Sequence, residues 1–286
     1  MMNRRLLLAS LAGLAVATTS LTAAEAGKPL RVLLVSGGCC HDYVKQRLIL
    51  AEGLGARANI EVVQAINPDD SVNKTTKCTF AEYQNKDWAK GYDVVIHDEC
   101  SSDVTAPEYL KTILDAHLDG VPAVNLHCAM HCYRFGNFRE PVTPGADNSH
   151  WYEMIGLQST AHGPQSPISI TFVDTESPIV KGIPAWTTVN EELYNNISFL
   201  GAHALAKGHQ TQVDKKTGTS KEVDTVVAWT NEYGPKKTRI FSTTIGHNND
   251  TVSDARYLDM VTRGVLWAAG KLTDDGQPAA GYEPKK

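Results

Sequence analysis

Leu30-Arg31-Val32-Leu33-Leu34-Val35, closing on Ser36-Gly37-Gly38, is the stretch that decides the fold. A short apolar run with a single charge near its start predicts a strand buried on both faces, and the Ser-Gly-Gly after it predicts the turn that ends the strand. Working outward, residues 43–56 have the pattern of a helix, 60–66 of a second strand and 93–96 of a third. Residues 106–118 predict a helix with Thr105 as N-cap and Pro107 in the first turn. Residues 121–126 predict a fourth strand. Strands and helices alternating at this spacing imply βαβ units and an α/β fold with a doubly wound, mostly parallel sheet.

The second half is less regular. Residues 168–173, 225–229 and 239–244 predict strands, and 252–269 predicts a closing helix through Tyr257, Met260, Val261, Val265 and Leu266. The polar stretches 134–149 and 207–221 are expected to be loops or insertions, and 273–286 a flexible, frayed tail. No repeat and no break in composition divides the chain, so one domain over 27–272 is expected.

With 286 residues, 42% of them hydrophobic, the chain can bury a full core. Its net charge is −5 and no Lys/Arg cluster runs through the body, which removes the basic stripe that a nucleic-acid binder needs. Arg4 and Arg5, the apolar run 6–17 and Ala24-Glu25-Ala26 make residues 1–26 an expected export signal. That run falls short of the ~20 residues that span a bilayer. A periplasmic or extracellular protein, off the membrane once the signal is cleaved, is the expectation. Export makes disulfides the default for the cysteines at 39, 40, 78, 100, 128 and 132. Adjacent Cys39 and Cys40 are poor partners for each other, because disulfide geometry fits vicinal residues badly. The connectivity stays open.

In an open parallel sheet, ligands bind beyond the carboxyl ends of the strands. The first strand delivers His41-Asp42-Tyr43 there, the third His97-Asp98-Glu99, the fourth His127-Cys128, and the late strand Gly246-His247. Imidazoles and carboxylates gathered along one edge are the usual composition of an acid/base or metal site. His127 and His131, like Cys128 and Cys132, are spaced i, i+4, which on a helix would also suit a metal. The Gly-x-Ser-x-Gly elbow, the phosphate-binding loop and the Gly-x-Gly-x-x-Gly fingerprint are all missing, so no nucleotide cofactor is expected.

Several segments together carry a resemblance: Val35-Ser36-Gly37-Gly38, His41-Asp42-Tyr43, Asn125-Leu126-His127, Trp151-Tyr152-Glu153-Met154-Ile155-Gly156 and Ala161-His162-Gly163-Pro164. So do Ser177-Pro178-Ile179, Glu191-Glu192-Leu193-Tyr194 and the run from Ile240 to His247. In order and spacing, over about residues 30–270, they resemble the ThuA-like (trehalose utilisation) proteins. The resemblance implies a flavodoxin-like, class I glutamine amidotransferase-like fold and a role with trehalose, related disaccharides or keto sugars. It implies a polar pocket of His41, His127, His162, Glu192 and His247. Glutamine hydrolysis is not expected: the elbow lacks its glycines at 125–129, and Asn249 stands where the amidotransferase Glu would follow His247.

Two functions follow from these residues. The first is an exported enzyme (isomerase, lyase or hydrolase) on a sugar derivative, with His127, His247 and Glu192 as catalytic groups. His41, Tyr43, Asp98 and Trp186 would contact the sugar, and a divalent metal such as zinc would sit on His127, His162 and His247. The second is a sugar-binding or accessory protein without turnover. Homo-oligomerisation stays open.

Overall fold

The computed structural model describes residues 27–67, 75–214 and 216–285. The expected export signal lies outside them. Five strands build the parallel part of one sheet: β1 (Leu30–Gly38), β2 (Ile60–Ile66), β3 (Val94–Cys100), β4 (Ala123–Leu126) and β9 (Thr238–Thr243). Their order, β2-β1-β3-β4-β9, is the flavodoxin-like arrangement expected, with chain reversals that create a switch point beside β1. Period-two alternation explains why both faces are apolar. From β1, Val32 and Leu34 join one core with Leu50, Leu54, Val261 and Val265. Leu33 and Val35 join the other with Leu110, Ile113, Trp151 and Ile155.

The helices contributing to those cores are α1 (Tyr43–Arg57), α2 (Pro107–Leu118), α3 (His150–Ile155) and α5 (Ala255–Ala268), with a single turn, α4 (Asn249–Val252), before the last. α1 and α5 cover one face; α2 and α3 cover the other. Asp42 caps α1 by accepting from the Lys45 amide. At α2 the cap is Ala106, not Thr105, and makes no side-chain bond; Pro107 at the first position sets the helical φ instead. The expected 252–269 helix is interrupted after Val252, and Asp254 restarts it by capping α5 through the Arg256 amide.

Beyond β9 the same sheet continues antiparallel through β8 (Ser220–Tyr233), β7 (His203–Val213), β5 (Leu157–Phe172) and β6 (Trp186–Phe199). This half departs most from expectation. The polar stretch 207–221 is not a long loop: most of it forms a β-hairpin, with β7 paired to β8 from His203↔Thr230 to Val213↔Ser220. Its outward residues are so polar that the alternation is hidden. β6 was not foreseen, and β5 is much longer than the expected 168–173, running through Pro164 and Pro167 with several register shifts. Residues 134–149 do form the expected irregular loop. The segment 273–286 is not frayed along its described length. Ala279 donates to the Lys271 carbonyl, Asn59 donates to that of Tyr282, and the Tyr282 ring packs on the core.

Candidate functional site: three histidines and a carboxylate

The parallel strands end on one side of the sheet, and the antiparallel extension folds Glu192 toward the same edge. β4 hands the chain to a 3-10 turn, His127–His131, and His127 itself is left-handed, with φ of 43°. A non-glycine residue there is uncommon, and such backbones concentrate at functional sites. His127, rather than Cys128, therefore takes the left-handed position of the turn that follows β4. Its Nδ1–H donates to the Thr244 carbonyl at 2.6 Å. That bond fixes the tautomer and turns the Nε2 lone pair inward, where it has no hydrogen-bond partner.

His41 and His247 complete a cluster. His41 is buried, with its ring centroid 4.6 Å from that of His127 and 4.7 Å from that of His247. Its Nδ1 is unpartnered. His247 follows β9 on a loop pinned from two sides: Gln46 of α1 donates to the Gly246 and His247 carbonyls, and the Glu191 carboxylate accepts from the His247 and Asn248 amides at 3.0 Å each. The outer nitrogen of His247, Nε2, lies 2.8 Å from the Gln165 side-chain amide, and its Nδ1 has no hydrogen-bond partner. One ligand atom from each of His41, His127 and His247 lies within 4.8 Å of the other two.

Glu192 stands beside these atoms, with Oε2 3.5 Å from His127 Nε2 and Oε1 3.3 Å from His247 Nδ1. Gln165 donates to Oε1 at 3.2 Å. Burial opposes charge on Glu192, but His127 and His247 override it and hold the carboxyl well below the usual carboxylate range. Burial also lowers His247, and here Glu192 prevails and raises it. His41 falls well below its ordinary value because it is buried and faces two other imidazoles. Glu192 and His41 help line a cavity of about 320 Å³, together with His131, Arg134, His162 and Tyr194. His127 is only 3% exposed and is not part of that lining.

The remaining expected site residues fall in different places. His162 lies opposite Tyr194 on β5, half exposed at the rim, with Nε2 3.7 Å from Glu192 Oε1. Among the described residues, His41 takes the place in the three-histidine cluster that the sequence assigned to His162. Tyr43 is buried at the start of α1, edge-on to His41 at 5.5 Å, and burial pushes its phenol up. Asp98 accepts from Ser36 Oγ at 2.9 Å and is pushed up by burial; it does not line the cavity. Trp186 is not there either: it is buried against Phe172 in the core, with the Arg256 guanidinium 5.4 Å from its ring centroid. His97 and Glu99 turn to the opposite face, where Tyr83 and Tyr133 donate to Glu99 and His97 meets His117 at 3.0 Å.

Sequence reasoning missed Glu191, Gln46 and Gln165. Their contacts cross from β6 to the β9 loop, from α1 to that loop and from β5 to β6, and no local pattern announces them. It also judged Cys39 and Cys40 poor partners, yet they form a disulfide. Left-handed backbone at Cys40 (φ 81°), after Gly37 and Gly38 with positive φ, turns the chain so that neighbouring sulfurs meet.

The family model described as "Trehalose utilisation", ThuA, matches residues 31–268. Among solved structures, a ThuA-like protein from Parabacteroides merdae is similar at 19% identity and a TM-score of 0.62, over 90% of this chain and 98% of that one. A ThuA-like protein from Bacteroides uniformis is similar at 13% identity and a TM-score of 0.55, over 88% and 94%. A cytoplasmic protein from Salmonella typhimurium reaches a TM-score of 0.53 at 12% identity, over 83% and 98%. No curated protein matches the chain in sequence. With a family model spanning most of its length and the flavodoxin-like strand order on which that family is built, the chain belongs to the ThuA, or trehalose utilisation, family.

Proposed function

We propose that this protein is an exported, metal-dependent enzyme acting on a sugar or keto sugar, with His41, His127 and His247 as metal ligands and Glu192 as the proton-transfer group. One observation carries the reading: one ring nitrogen from each of His41, His127 and His247 lies within 4.8 Å of the other two, and His127 is held at Nδ1 by the Thr244 carbonyl with its Nε2 unpartnered. Metal-ligating histidines are commonly oriented through the outer nitrogen in this way, and three imidazoles beside a carboxylate suit zinc or an ion of similar preference. The donor set fits such an ion, and His41 and Glu192 also line the cavity. A divalent ion there supplies Lewis-acid polarisation of a carbonyl or hydroxyl oxygen.

The chain's own groups do the rest. Glu192 is ionised at neutral pH and accepts a proton at a carboxylate oxygen, from the carbon next to a keto-sugar carbonyl or from water. Gln165 bridges Glu192 and His247 and keeps both oriented. His162 and Arg134 at the cavity wall offer donors to sugar hydroxyls. The family description supports a carbohydrate as substrate, and the Cys39–Cys40 disulfide suits an oxidising compartment.

Elemental analysis of the purified protein tests the metal. About one equivalent is expected, lost in His41→Ala, His127→Ala and His247→Ala and retained in His162→Ala; metal-free wild type overturns the reading. Solvent-deuterium incorporation into a keto disaccharide, followed by NMR, tests the chemistry. Binding without exchange would identify a sugar-binding protein instead of an enzyme.

A further inference from the structure

The sheet sets four sulfurs in a row that the proposed sugar chemistry does not use. Three neighbouring parallel strands deliver cysteines to the same edge: Cys39 directly after β1, Cys100 as the last residue of β3, and Cys128 two residues past β4. Gly38 is the register partner of Cys100, so Cys39 follows directly beside it. The approach is close: a Cβ on Gly38 would lie 2.4 Å from the Cys100 carbonyl oxygen, so glycine is required there. Cys39 Sγ is bonded to Cys40 and lies 3.4 Å from Cys100 Sγ, and Cys128 Sγ lies 2.9 Å from Cys100 Sγ on its other side. Cys40 is exposed, the other three are buried, and all four line the 320 Å³ cavity. Cys132 is engaged elsewhere, donating to the Glu99 carbonyl.

We propose that Cys39, Cys40, Cys100 and Cys128 form a thiol–disulfide exchange site, which carries a disulfide between the exposed cavity mouth and the buried Cys100–Cys128 pair. In the first step the Cys100 thiolate attacks Cys39 Sγ. A Cys39–Cys100 bond forms, the Cys39–Cys40 bond breaks, and Cys40 leaves as a thiolate that takes up the proton Cys100 lost. In the second step the Cys128 thiolate attacks Cys100 Sγ. A Cys100–Cys128 bond forms, and Cys39 leaves as a thiolate and is protonated in turn. One disulfide and two thiols exist at every stage, so no outside oxidant or reductant enters. Donation from the Cys128 thiol favours Cys100 as the first nucleophile. Exposed Cys40 is where a soluble dithiol or small-molecule disulfide exchanges with the row.

Disulfide mapping of the intact protein tests this. The oxidised protein is exposed to graded dithiothreitol, quenched with acid, unfolded, alkylated and mapped by mass spectrometry. Loss of alkylation at Cys100 and Cys128 is expected, matched by gain at Cys39 and Cys40, with a Cys39–Cys100 peptide as the intermediate. Cys128→Ser should abolish the Cys100–Cys128 peptide and accumulate Cys39–Cys100. Cys40→Ser should leave Cys39 joined to Cys100, and Cys132→Ser should change nothing. If Cys39–Cys40 is the only disulfide at every dithiothreitol concentration, with Cys100 and Cys128 alkylated throughout, the site does not exist. The wild-type map alone distinguishes these outcomes, so a variant that fails to fold leaves the test intact.

Discussion

Replacing Glu191 by glutamine tests whether the His247 loop is held by a buried carboxylate. Glu191 is fully buried, and its two oxygens accept from the His247 and Asn248 amides, each at 3.0 Å. Glutamine keeps one acceptor oxygen and turns an NH2 toward the other amide, so one bond is lost outright. A hydrogen bond to a charged group contributes about 1.5–3 kcal/mol, and the surviving bond falls to the neutral value of about 1 kcal/mol. Burying an amide costs less than burying a carboxylate and returns part of this. A net loss of roughly 2–3 kcal/mol is expected from those ranges. At about 2–4 °C per kcal/mol for a chain of this size, Tm should fall by roughly 4–12 °C. Urea unfolding of metal-stripped protein gives the stability difference free of ligand linkage. Metal affinity, read by chelator competition, should drop about 10–100-fold as His247 loses its position. A Glu191→Gln protein within about 0.5 kcal/mol of wild type, with unchanged metal affinity, would refute the reasoning.

Two further outcomes concern the frame around the site. Burial, reinforced by His97, lowers the fully buried His117 to about 3. The unfolded chain binds this proton below about pH 6.5 and the native state does not until about pH 3, so the contribution is lost as pH falls through that window. His117→Gln should flatten the acid limb of a stability–pH curve by about 1.4 kcal/mol per pH unit, and an unchanged limb contradicts it. Gly264 of α5 lies against β9, where an added Cβ would stand 2.3 Å from Phe241 Cδ1. Alanine gains about 1 kcal/mol of helix propensity but overpacks rigid aromatic carbon at a cost of about 1–3 kcal/mol or more. Gly264→Ala should therefore melt lower; a higher Tm would show that the sheet yields.

The parallel half was legible because its elements are local and strongly patterned. Val32 to Val35 is apolar on both faces, which only a doubly covered sheet satisfies, and α1 and α2 appear at their expected places with their boundaries nearly intact. The antiparallel half was opaque for a physical reason: β7 and the start of β8 have one solvated face, and Lys207, His209 and Thr211 look like loop composition until their partners are known. β5 hides behind Gly163, Pro164 and Pro167, which its register shifts accommodate. Five of the eight functional residues expected from the sequence, His41, His127, His162, Glu192 and His247, do gather at one edge. Trp186 does not, because aromatic character says nothing about which side of a strand meets a cavity.

Periodicity and side-chain identity were enough to point to the doubly wound parallel sheet and to the set of histidines delivered to the strand ends, because each of these is written locally, along a strand or at its terminus. Which imidazoles meet was settled only by the folded chain. His41 joins His127 and His247 because the left-handed turn at Cys40 and the Gln46 and Glu191 contacts bring the β1 and β9 loops together, whereas His162 stays on a strand whose register holds it at the rim. Those contacts join residues up to 201 positions apart. Chain entropy opposes such long-range closure, and only the packed sheet beneath makes it favourable.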